Sequence, residues 1–268
     1  MLKLYSIIKN SSNYTQTLWV QSTIYLTALL GLILVFDLNL LLIGLLLGWL
    51  LFCFGVSICL HKYASHQTFE PRNRLIKIFL LWLGTQTTLG SIIGFAAGHR
   101  QHHRDSDGPN DPFLLKNSTW YNIKLWFYHF PINNISPRLI KDLYIDDDYK
   151  FFHKNYWKIW SVYPSILLII NPIYFVYFFA IPVVYCFLGM SYVTVVAHSL
   201  SWKKSFKGTS EFNDLDHSWD SKFFTVLFAG EGYHHAHHVD PSQFDYSKTN
   251  LKFDFSGYMI RFLKKDQV

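Results

Sequence analysis

The chain has 268 residues, of which half are hydrophobic and 16% are charged, and its net charge is +6. Soluble domains carry about 25% charged residues, so this composition argues against an ordinary soluble protein. The basic residues are spread along the chain without a nucleic-acid-binding motif, which argues against RNA or DNA as a partner and favours a membrane surface with anionic lipids.

The first apolar stretch is long enough for two membrane crossings. Between residues 20 and 60 the ionisable groups are only Tyr25, Asp37, Cys53 and Cys59, and about 20 residues suffice for one crossing. We therefore predict transmembrane helices at about residues 18–36 and 40–61, joined by a turn at Asp37–Asn39.

The second apolar stretch, residues 155–200, is interrupted at Asn171-Pro172 and again at Pro182. We favour the hairpin turn at Asn171-Pro172, because a helix from Pro172 to His198 would be about 40 Å long and would carry His198 beyond the ~30 Å hydrocarbon core. The predicted helices are then about 155–171 and 173–200. Neither turn contains Lys or Arg, so the positive-inside rule places residues 62–154 and 201–268 on the cytosolic side.

Residues 75–98 form an ambiguous segment between these stretches. The segment is long enough for a third crossing, but residues 85–88, Thr-Gln-Thr-Thr, would then lie at mid-membrane. A single crossing would also separate the histidines before it from those after it. If these histidines share a site, the segment lies at the interface or is re-entrant.

Together these patterns predict an all-α integral membrane protein that forms a single domain over residues 1–268. Four transmembrane helices in two hairpins would carry a helical cytosolic cap. The endoplasmic reticulum membrane and a bacterial inner membrane both fit this topology, with the polar cap on the cytosolic side.

Most of the thirteen histidines lie in three short motifs. These are HKYASH (His61, His66), HRQHH (His99, His102, His103) and HHAHH (His234, His237, His238). On a helix, positions i, i+3 and i+4 fall within one arc of about 100°, so each H-x-x-H-H motif can direct its histidines at a metal pair. His235 points away from that arc.

The first motif has a different spacing. Residues five apart are about 140° apart on an α-helix, so His61 and His66 can both bind only if the helix ends between them or if they reach different metals. Each motif alone fits a polar helix end or a basic surface patch. Three motifs on one predicted face favour a metal site, since neutral imidazole is the commonest metal ligand in proteins.

In this order and at these separations, HKYASH, HRQHH and GEGYHHAHH resemble the histidine boxes of the membrane-bound fatty-acyl desaturases, the stearoyl-CoA or delta-9 desaturase-like family. The resemblance covers nearly the whole chain from about residue 20. It includes SDGPNDP after the second box, KNYWK, an isolated histidine in VTVVAHSLSW, and FDFSGYMIRFL.

The resemblance implies four transmembrane helices, a cytosolic cap and a di-iron centre that uses O2 as co-substrate. Carried over by position, the metal ligands would be His61, His66, His99, His102, His103, His198, His234, His237 and His238. Removing hydrogen from an unactivated methylene lies beyond acid, base or nucleophile, so the chemistry calls for a redox metal, and iron suits imidazole ligation.

The expected activity is insertion of a cis double bond, at delta-9, into a saturated acyl chain carried on CoA or on a lipid. No fused cytochrome b5 domain is visible, so we expect electrons from a separate protein, cytochrome b5 or ferredoxin with its reductase. Animal acyl-CoA enzymes carry a charged pair before the second box. Here Ala97-Gly98 stands there, which weakens CoA as the carrier and keeps an acyl-lipid open.

Several further residues are candidates for supporting roles. Thr194 stands where the family usually has an asparagine that helps to hold a water at one iron. Trp49, 12 residues before His61 and so about 18 Å away along a helix, is a candidate for the closed end of the acyl tunnel; a packed or lipid-facing Trp is the alternative. Four acids near the boxes are expected to accept ring N–H bonds from ligand histidines: Asp105, Asp107, Asp111 and Glu231.

Two other functions remain open at this point. A histidine-box hydroxylase or oxygenase of the same superfamily would share the metal site, but the H-x4-H first box and the GEG sequence before the third favour a desaturase. A divalent-metal transporter would place its ligands near the bilayer midplane on broken helices. The histidines here lie at or beyond predicted helix ends, which argues against transport.

Overall fold

The structure is a computed structural model that describes residues 13–115, 136–210, 216–247 and 253–265. Within these ranges the regular structure is helical, apart from isolated β-bridges that pair Pro71 with Lys264 and Thr209 with Asp220. The all-α prediction is confirmed for the described residues. The helices are α1 (Asn13–Leu34), α2 (Leu38–Ser65), α3 (Arg74–Gln86), α4 (Ile92–Arg104), a 3-10 turn (Pro137–Ile140), α5 (Lys141–Ile145), α6 (Asp147–Lys154), α7 (Tyr156–Ile170), α8 (Pro172–Val196), α9 (Leu200–Phe206), α10 (Lys222–Leu227), α11 (His234–Val239) and α12 (Phe255–Leu263).

Two of the described helices, α2 and α8, are long and apolar enough to cross a membrane. Helix α2 has 28 residues and α8 has 25, while the apolar helices Trp19–Leu34 and Tyr156–Ile170 are shorter. These four helices coincide with the four segments that the sequence predicts to be transmembrane. Helix α2 continues to Ser65, four residues past the predicted end at His61.

Both long helices begin where the sequence places a hairpin turn. The Asp37 carboxylate caps α2 by accepting a hydrogen bond from the Leu40 amide at 3.0 Å, and the Asn171 side chain accepts one from the Ile173 amide at 2.9 Å. Pro172 occupies the first turn of α8, where its missing N–H has no cost. Pro182 lies within α8, directly after a π-helical stretch at Val176–Ala180, and the helix continues through it.

Helices α2 and α8 approach each other closely at two glycines of α2. A Cβ on Gly44 would lie 2.5 Å from the Tyr177 carbonyl oxygen, and one on Gly48 would lie 2.7 Å from the Tyr185 Cβ. Any side chain at these positions would push the helices apart. Small residues commonly allow such contacts between membrane helices.

The ambiguous segment at residues 75–98 is two helices and not one. Helix α3 ends at Gln86, Thr88 takes a left-handed backbone conformation with φ 58°, and Ser91 caps α4 by accepting from the Gly94 amide at 3.2 Å. The polar run is buried inside the protein. The Thr85 hydroxyl donates to the Leu81 carbonyl at 2.8 Å, so this polar group is satisfied within its own helix.

The C-terminal segment is held against the end of α2 by a buried lysine. Lys62 is 2% exposed, and its ammonium donates to the Ser256 hydroxyl at 2.6 Å and to the Phe244 carbonyl at 2.9 Å. The Asp254 carboxylate lies 3.2 Å from the same nitrogen. Because an unpaired charge would be costly at this depth, these contacts fix α12 beside the first histidine box.

Candidate metal centre

The structure brings the nine histidines proposed from the sequence into two adjacent groups. Within each group, the candidate ligand nitrogens all lie within 4.8 Å of one another. We call them the A group (His61, His66, His99, His103, His237) and the B group (His102, His198, His234, His238). Each group draws on side chains from distant parts of the chain, so the centre forms only when the helices assemble.

The second and third boxes each divide between the two groups. On α4, His99 and His103 are one helical turn apart and join the A group, while His102 joins the B group. On α11, the i, i+4 pair His234 and His238 joins the B group and His237 the A group. The H-x-x-H-H spacing therefore supplies one pair to one group and one single histidine to the other, because its members share a helix face without pointing in one direction.

The first box contributes both of its histidines to the A group. Residues Phe52–Ser65 of α2 are π-helical, and the His66 amide donates to the His61 carbonyl at 3.1 Å. An i→i+5 hydrogen bond closes one turn of a π-helix, so residues five apart lie on one side of it. The 140° separation expected from α-helical geometry is therefore wrong for this segment.

The imidazole nitrogens within the groups face one another at short distances. The Nε2 atoms of His61 and His237 are 2.8 Å apart, and those of His102 and His238 are 3.3 Å apart. Other close Nε2 pairs are His66–His99 at 2.7 Å, His103–His237 at 2.9 Å and His198–His234 at 2.8 Å.

Carboxylates occupy the other ring nitrogen of several of these histidines. Glu231 accepts from Nδ1 of His61 at 2.8 Å. Asp111 accepts from Nδ1 of His102 at 2.8 Å, and Asp107 from Nδ1 of His198 at 2.9 Å. With the ring proton held on Nδ1, Nε2 carries a free lone pair that points into the group.

Two of the supporting residues proposed from the sequence do not contact the histidine groups through a hydrogen bond described in the structure. The Asp105 carboxylate accepts from the Asn110 amide at 2.7 Å and so shapes the loop after α4. The Thr194 hydroxyl donates to the Met190 carbonyl at 2.8 Å within α8.

Two hydrogen-bond partners of the histidines were not expected from the sequence. Asp216 accepts from Nδ1 of His238 at 2.8 Å. The Tyr246 hydroxyl donates to the Asp240 carbonyl at 2.8 Å, so its oxygen can accept from Nδ1 of His237 at 3.1 Å. Asp216 is 22 residues before His238, so local sequence carries no signal for that pair. Tyr246 follows His237 by nine residues, as Asp111 follows His102, but a tyrosine hydroxyl is not among the carboxylates expected from the sequence.

The facing lone pairs provide a test of whether the groups suit a metal. In the His61–His237 pair and the His102–His238 pair, each Nδ1 proton has an acceptor outside the group, so both Nε2 atoms present lone pairs to each other. Two lone pairs at such distances repel unless a cation lies between them. The donor set, all imidazole with carboxylates behind it, fits a late first-row transition metal such as iron.

Burial keeps these imidazoles in the neutral form that binds metal. Burial, followed by the neighbouring histidines, lowers the pKa of His99, His103, His234 and His237 well below the ordinary range. Burial also lowers the pKa of His238 to about 3, although Asp216 opposes that shift. A neutral imidazole needs no deprotonation before it binds a metal.

The carboxyl groups stay ionised in the same environment. Burial alone would raise the pKa of the Glu231 carboxyl, but the neighbouring His61 and Lys62 and a hydrogen bond from Ser57 lower it below its ordinary value. Burial likewise opposes ionisation of Asp216, and the hydrogen bond with His238 overcomes it and lowers the pKa of that carboxyl. Each carboxylate can therefore accept a ring N–H.

Arg100, inside the second box, joins that box to the first. Its Nε donates to the Ser65 carbonyl at 2.6 Å and its Nη2 to the Ala64 carbonyl at 2.9 Å. These carbonyls end α2 and have no partner further along that helix. Arg100 therefore fixes the position of the helix end that carries His61 and His66.

Trp49 and the groove found in the structure lie away from the histidines. The Trp49 indole N–H donates to the Val226 carbonyl at 3.1 Å, and its ring lies 4.7 Å from that of Phe255. The role of Trp49 in setting acyl-chain length stays a prediction.

A groove of about 420 Å³ is lined by apolar residues of α3, α6 and α7, namely Leu75, Ile78, Phe79, Trp82, Phe151, Phe152 and Ile159.

Known proteins share sequence similarity with most of this chain. Residues 38–248 match the family model for fatty acid desaturases. The chain is 29% identical over 201 residues to an sn-1 stearoyl-lipid 9-desaturase from Anabaena variabilis, across 74% of this chain and 70% of that protein. It is 26% identical over 220 residues to the Delta(9)-fatty-acid desaturase fat-7 of Caenorhabditis elegans, across 77% of this chain and 63% of that protein.

A third relative has a different printed activity. The chain is 26% identical over 217 residues to a hex-5-enoyl-[acyl-carrier protein] acetylenase from Moorena producens, across 74% of this chain and 66% of that protein. The matched segments thus span about two thirds of the length of these relatives. The region of similarity contains all nine histidines of the A and B groups.

Proposed function

The chain belongs to the fatty acid desaturase family, and from that premise we propose that it is an O2-dependent fatty-acyl desaturase that forms a cis double bond at delta-9. The names of the cyanobacterial and nematode relatives support that position in the acyl chain. The acetylenase relative supports the wider view that this family oxidises unactivated carbon chains. Family membership is the outcome that the histidine boxes predicted.

The observation that carries the proposal is the pair of histidine groups with inward-facing Nε2 atoms. We assign one iron to the A group and one to the B group. When bound, such a di-iron centre together with O2 supplies the oxidising power needed to remove hydrogen from an unactivated methylene. Helices α4 and α11 each contribute histidines to both groups, so the same two helices would position both iron sites.

The carboxylates orient the ligands in this proposal. Glu231, Asp111, Asp107 and Asp216 hold the Nδ1 protons of their histidines, which directs each Nε2 lone pair inward. Such partners commonly fix the ring orientation of a metal ligand and raise its basicity. The surrounding burial excludes water from the histidines, which protects a reactive centre from side reactions.

We propose that α1, α2, α7 and α8 span the membrane and that the remaining helices form the cytosolic cap. The exposed side chains of these four helices support this assignment, because large apolar residues are solvent-exposed on them: Leu34 is 75% exposed and Ile169 is 84% exposed. Such surfaces are costly in water and favourable in hydrocarbon.

We propose that the acyl chain is carried on a lipid in preference to CoA. Ala97 and Gly98, directly before the second box, are buried, so these two positions present no charge to a polar headgroup. The names of two cyanobacterial relatives, both stearoyl-lipid desaturases, support the same carrier. A separate electron donor, cytochrome b5 or ferredoxin with its reductase, would complete the reaction.

The experiment that tests the proposal is fatty-acid profiling by gas chromatography and mass spectrometry. The chain is expressed in a host that lacks its own desaturase, together with a reductase partner, beside His102→Ala and His235→Ala variants. His102 belongs to the B group, whereas His235 is buried outside both groups. We expect a new cis-monoene from the wild type and from His235→Ala, and none from His102→Ala.

Other products would contradict the proposal in distinct ways. An alcohol in place of the alkene would assign a hydroxylase. No product from an iron-loaded, membrane-inserted protein would mean that the chain is not an active desaturase. Feeding acyl-CoA and acyl-lipid separately to isolated membranes tests the carrier, since desaturation of acyl-CoA alone would refute the lipid assignment.

A further inference from the structure

Helix α10 (Lys222–Leu227) precedes the third histidine box and lies against the two longest apolar helices. The Trp49 indole of α2 donates to the Val226 carbonyl at 3.1 Å, and the Tyr185 hydroxyl of α8 donates to the Leu227 carbonyl at 2.5 Å. Trp49 is 12 residues before His61, which is about three helical turns along α2. The end of α10 therefore lies beside the middle of α2, displaced from the histidines along that helix towards its N-terminus.

The last four carbonyls of α10 all have hydrogen-bond partners. A helix leaves these four groups without partners inside itself. Here two bonds come from the chain beyond the helix and two from the side chains of Trp49 and Tyr185: Phe224 O from Phe228 N at 2.8 Å, Thr225 O from Gly230 N at 2.8 Å, and Val226 O and Leu227 O from the two aromatic side chains. Backbone at membrane depth is tolerated only when such groups are satisfied by protein.

One face of α10 is fixed against α2 and α8 by aromatic contacts. The Phe224 ring of α10 lies 4.1 Å from that of Tyr192 in α8, and the ring of Phe228, directly after α10, lies 5.3 Å from that of Phe52 in α2. Phe52 is fully buried. These contacts hold α10, which the topology proposed above assigns to the cap, against the two long helices.

The opposite face of α10 is apolar and exposed. Phe223 is 61% exposed and Val226 is 58% exposed. The apolar surface continues onto α9, where the Phe206 ring lies 6.5 Å from Phe223 and 5.7 Å from Trp202. Contiguous exposed apolar surface of this kind marks an interaction site.

The positions of nearby lysines indicate which end of this apolar surface faces water. Three exposed lysines accompany it in sequence, at the start of α10 and in or directly after α9: Lys222, Lys204 and Lys207. Their long stems can lie along apolar surface while the ammonium groups reach the anionic lipid headgroups. The exposed side chains further along α10 are uncharged.

We infer that α10 is a re-entrant membrane segment, with Phe223 and Val226 facing the lipid acyl chains of the cytosolic leaflet and α9 at the headgroup level. The inference rests on the membrane topology proposed above. The partner of this surface is the hydrocarbon of the bilayer, because α10 is bonded to the sides of two candidate membrane spans at their mid-length.

The inserted segment also connects to the metal centre. Gly230 takes a backbone φ of 114°, where a side chain would be strained, and this turn directs the chain from α10 to Glu231. Glu231 accepts hydrogen bonds from Ser57 and His61 of α2. Membrane anchoring of α10 therefore positions Glu231 and the third box against the first.

Depth measurements with single labels test the inference. Val226→Cys and Phe223→Cys variants of the full chain are labelled with bimane and reconstituted in phosphatidylcholine–phosphatidylglycerol nanodiscs. Quenching by brominated acyl chains is compared with quenching by aqueous iodide. The native cysteines Cys53, Cys59 and Cys186 are buried, and the labelled parent chain measures their background.

Two matched reference variants define the scale. Asp147→Cys reports a water-facing site, since the Asp147 side chain is 93% exposed on α6. Ile169→Cys reports a lipid-facing site, since Ile169 is 84% exposed on α7. We expect both α10 labels to follow Ile169→Cys, with several-fold stronger quenching by brominated lipid than Asp147→Cys and several-fold weaker quenching by iodide.

The outcomes separate the inference from its premise. If the α10 labels follow Asp147→Cys while Ile169→Cys is quenched by lipid, the re-entrant segment is refuted and the four-span topology stands. If Ile169→Cys also behaves as water-exposed, the topology fails and the inference falls with it. Desaturase activity is not part of the readout, so an inactive enzyme would not affect the result.

Discussion

Arg100 and Asp142 form a bidentate ion pair, with guanidinium-to-carboxylate distances of 2.7 and 2.8 Å. The same guanidinium donates to the carbonyls of Ala64 and Ser65 at the end of α2. One side chain between His99 and His102 thus satisfies the last carbonyls of the helix that carries the first histidine box. A planar group with five donors can meet all these acceptors together, and a lysine ammonium cannot.

Arg100→Lys should therefore loosen the A group without removing a ligand. We expect a loss of about 3–6 kcal/mol in the free energy of unfolding, from about two lost charge-assisted hydrogen bonds, together with lower iron content per chain. Thermal unfolding in detergent and elemental analysis measure the two effects. Arg74→Lys is the control, because the Arg74 side chain pairs with Asp148 but is 78% exposed. Equal behaviour of the two variants would show that Arg100 does not position the first box.

Asp216→Ala should weaken the B group from outside. The variant removes the acceptor for Nδ1 of His238, so the ring can turn or change tautomer, and such losses typically reduce metal affinity or activity by about 10–100-fold. Iron titration and initial rates of acyl desaturation measure the effect. Asp147→Ala, at an exposed site without a histidine contact, is the matched control. Full metal binding and activity in Asp216→Ala would contradict the assigned role.

Substitution by asparagine should remove iron at His237 but not at its neighbour His235. His237 belongs to the A group, whereas His235 bonds through Nδ1 to the Ser218 hydroxyl at 3.1 Å. We expect His237→Asn to lose iron and activity, and His235→Asn to keep the iron-to-protein ratio of the wild type even if it is less stable. Both ratios come from elemental analysis of purified protein. Loss of iron in both variants would place His235 in the site and revise the ligand set.

Trp49→Ala should lengthen the preferred acyl chain if Trp49 closes the far end of the tunnel. Trp49→Phe keeps most of the aromatic volume but removes the N–H that bonds the Val226 carbonyl. We expect a longer chain preference from the alanine variant only, read from the product profile with mixed acyl substrates. An unchanged profile in Trp49→Ala would refute the tunnel role. Reduced stability in both variants would assign Trp49 to the anchoring of α10.

The histidine spacings predict a metal site from the sequence, because ligand residues at helical intervals can face a common centre, and the resemblance of the three boxes indicates the family. Long apolar runs likewise predict helices, since only helices and closed barrels satisfy their backbone groups in a bilayer. The turns at Asp37 and Asn171 follow from their side-chain caps and from Pro172, which are local chemistry. The all-helical architecture and the membership in the desaturase family were therefore predictable and are confirmed for the described residues.

The division of the histidines between two groups depends on tertiary structure. Spacing places His99, His102 and His103 on one face of α4, but which of them meets His61 or His198 depends on how α2, α8 and α11 are placed around it. The π-helical end of α2 is a further example. Its extra residue per hydrogen-bonded turn brings His66 to the same side as His61, and no α-helical rule predicts that.

The hydrogen-bond partners of the histidines were also only partly predictable from the sequence. Asp107 and Asp111 follow their box closely, so proximity in sequence suggests them. Tyr246 follows His237 by nine residues, as Asp111 follows His102, but it is a hydroxyl and not one of the expected carboxylates. Asp216 is 22 residues before His238 and reaches it only after the chain folds. The sequence by itself determined the helices and the ligand types, because these depend on local periodicity, and it indicated the family through the resemblance of its histidine boxes. The tertiary structure decided which ligands share a group and which side chains orient them, because those contacts join residues that no local period relates.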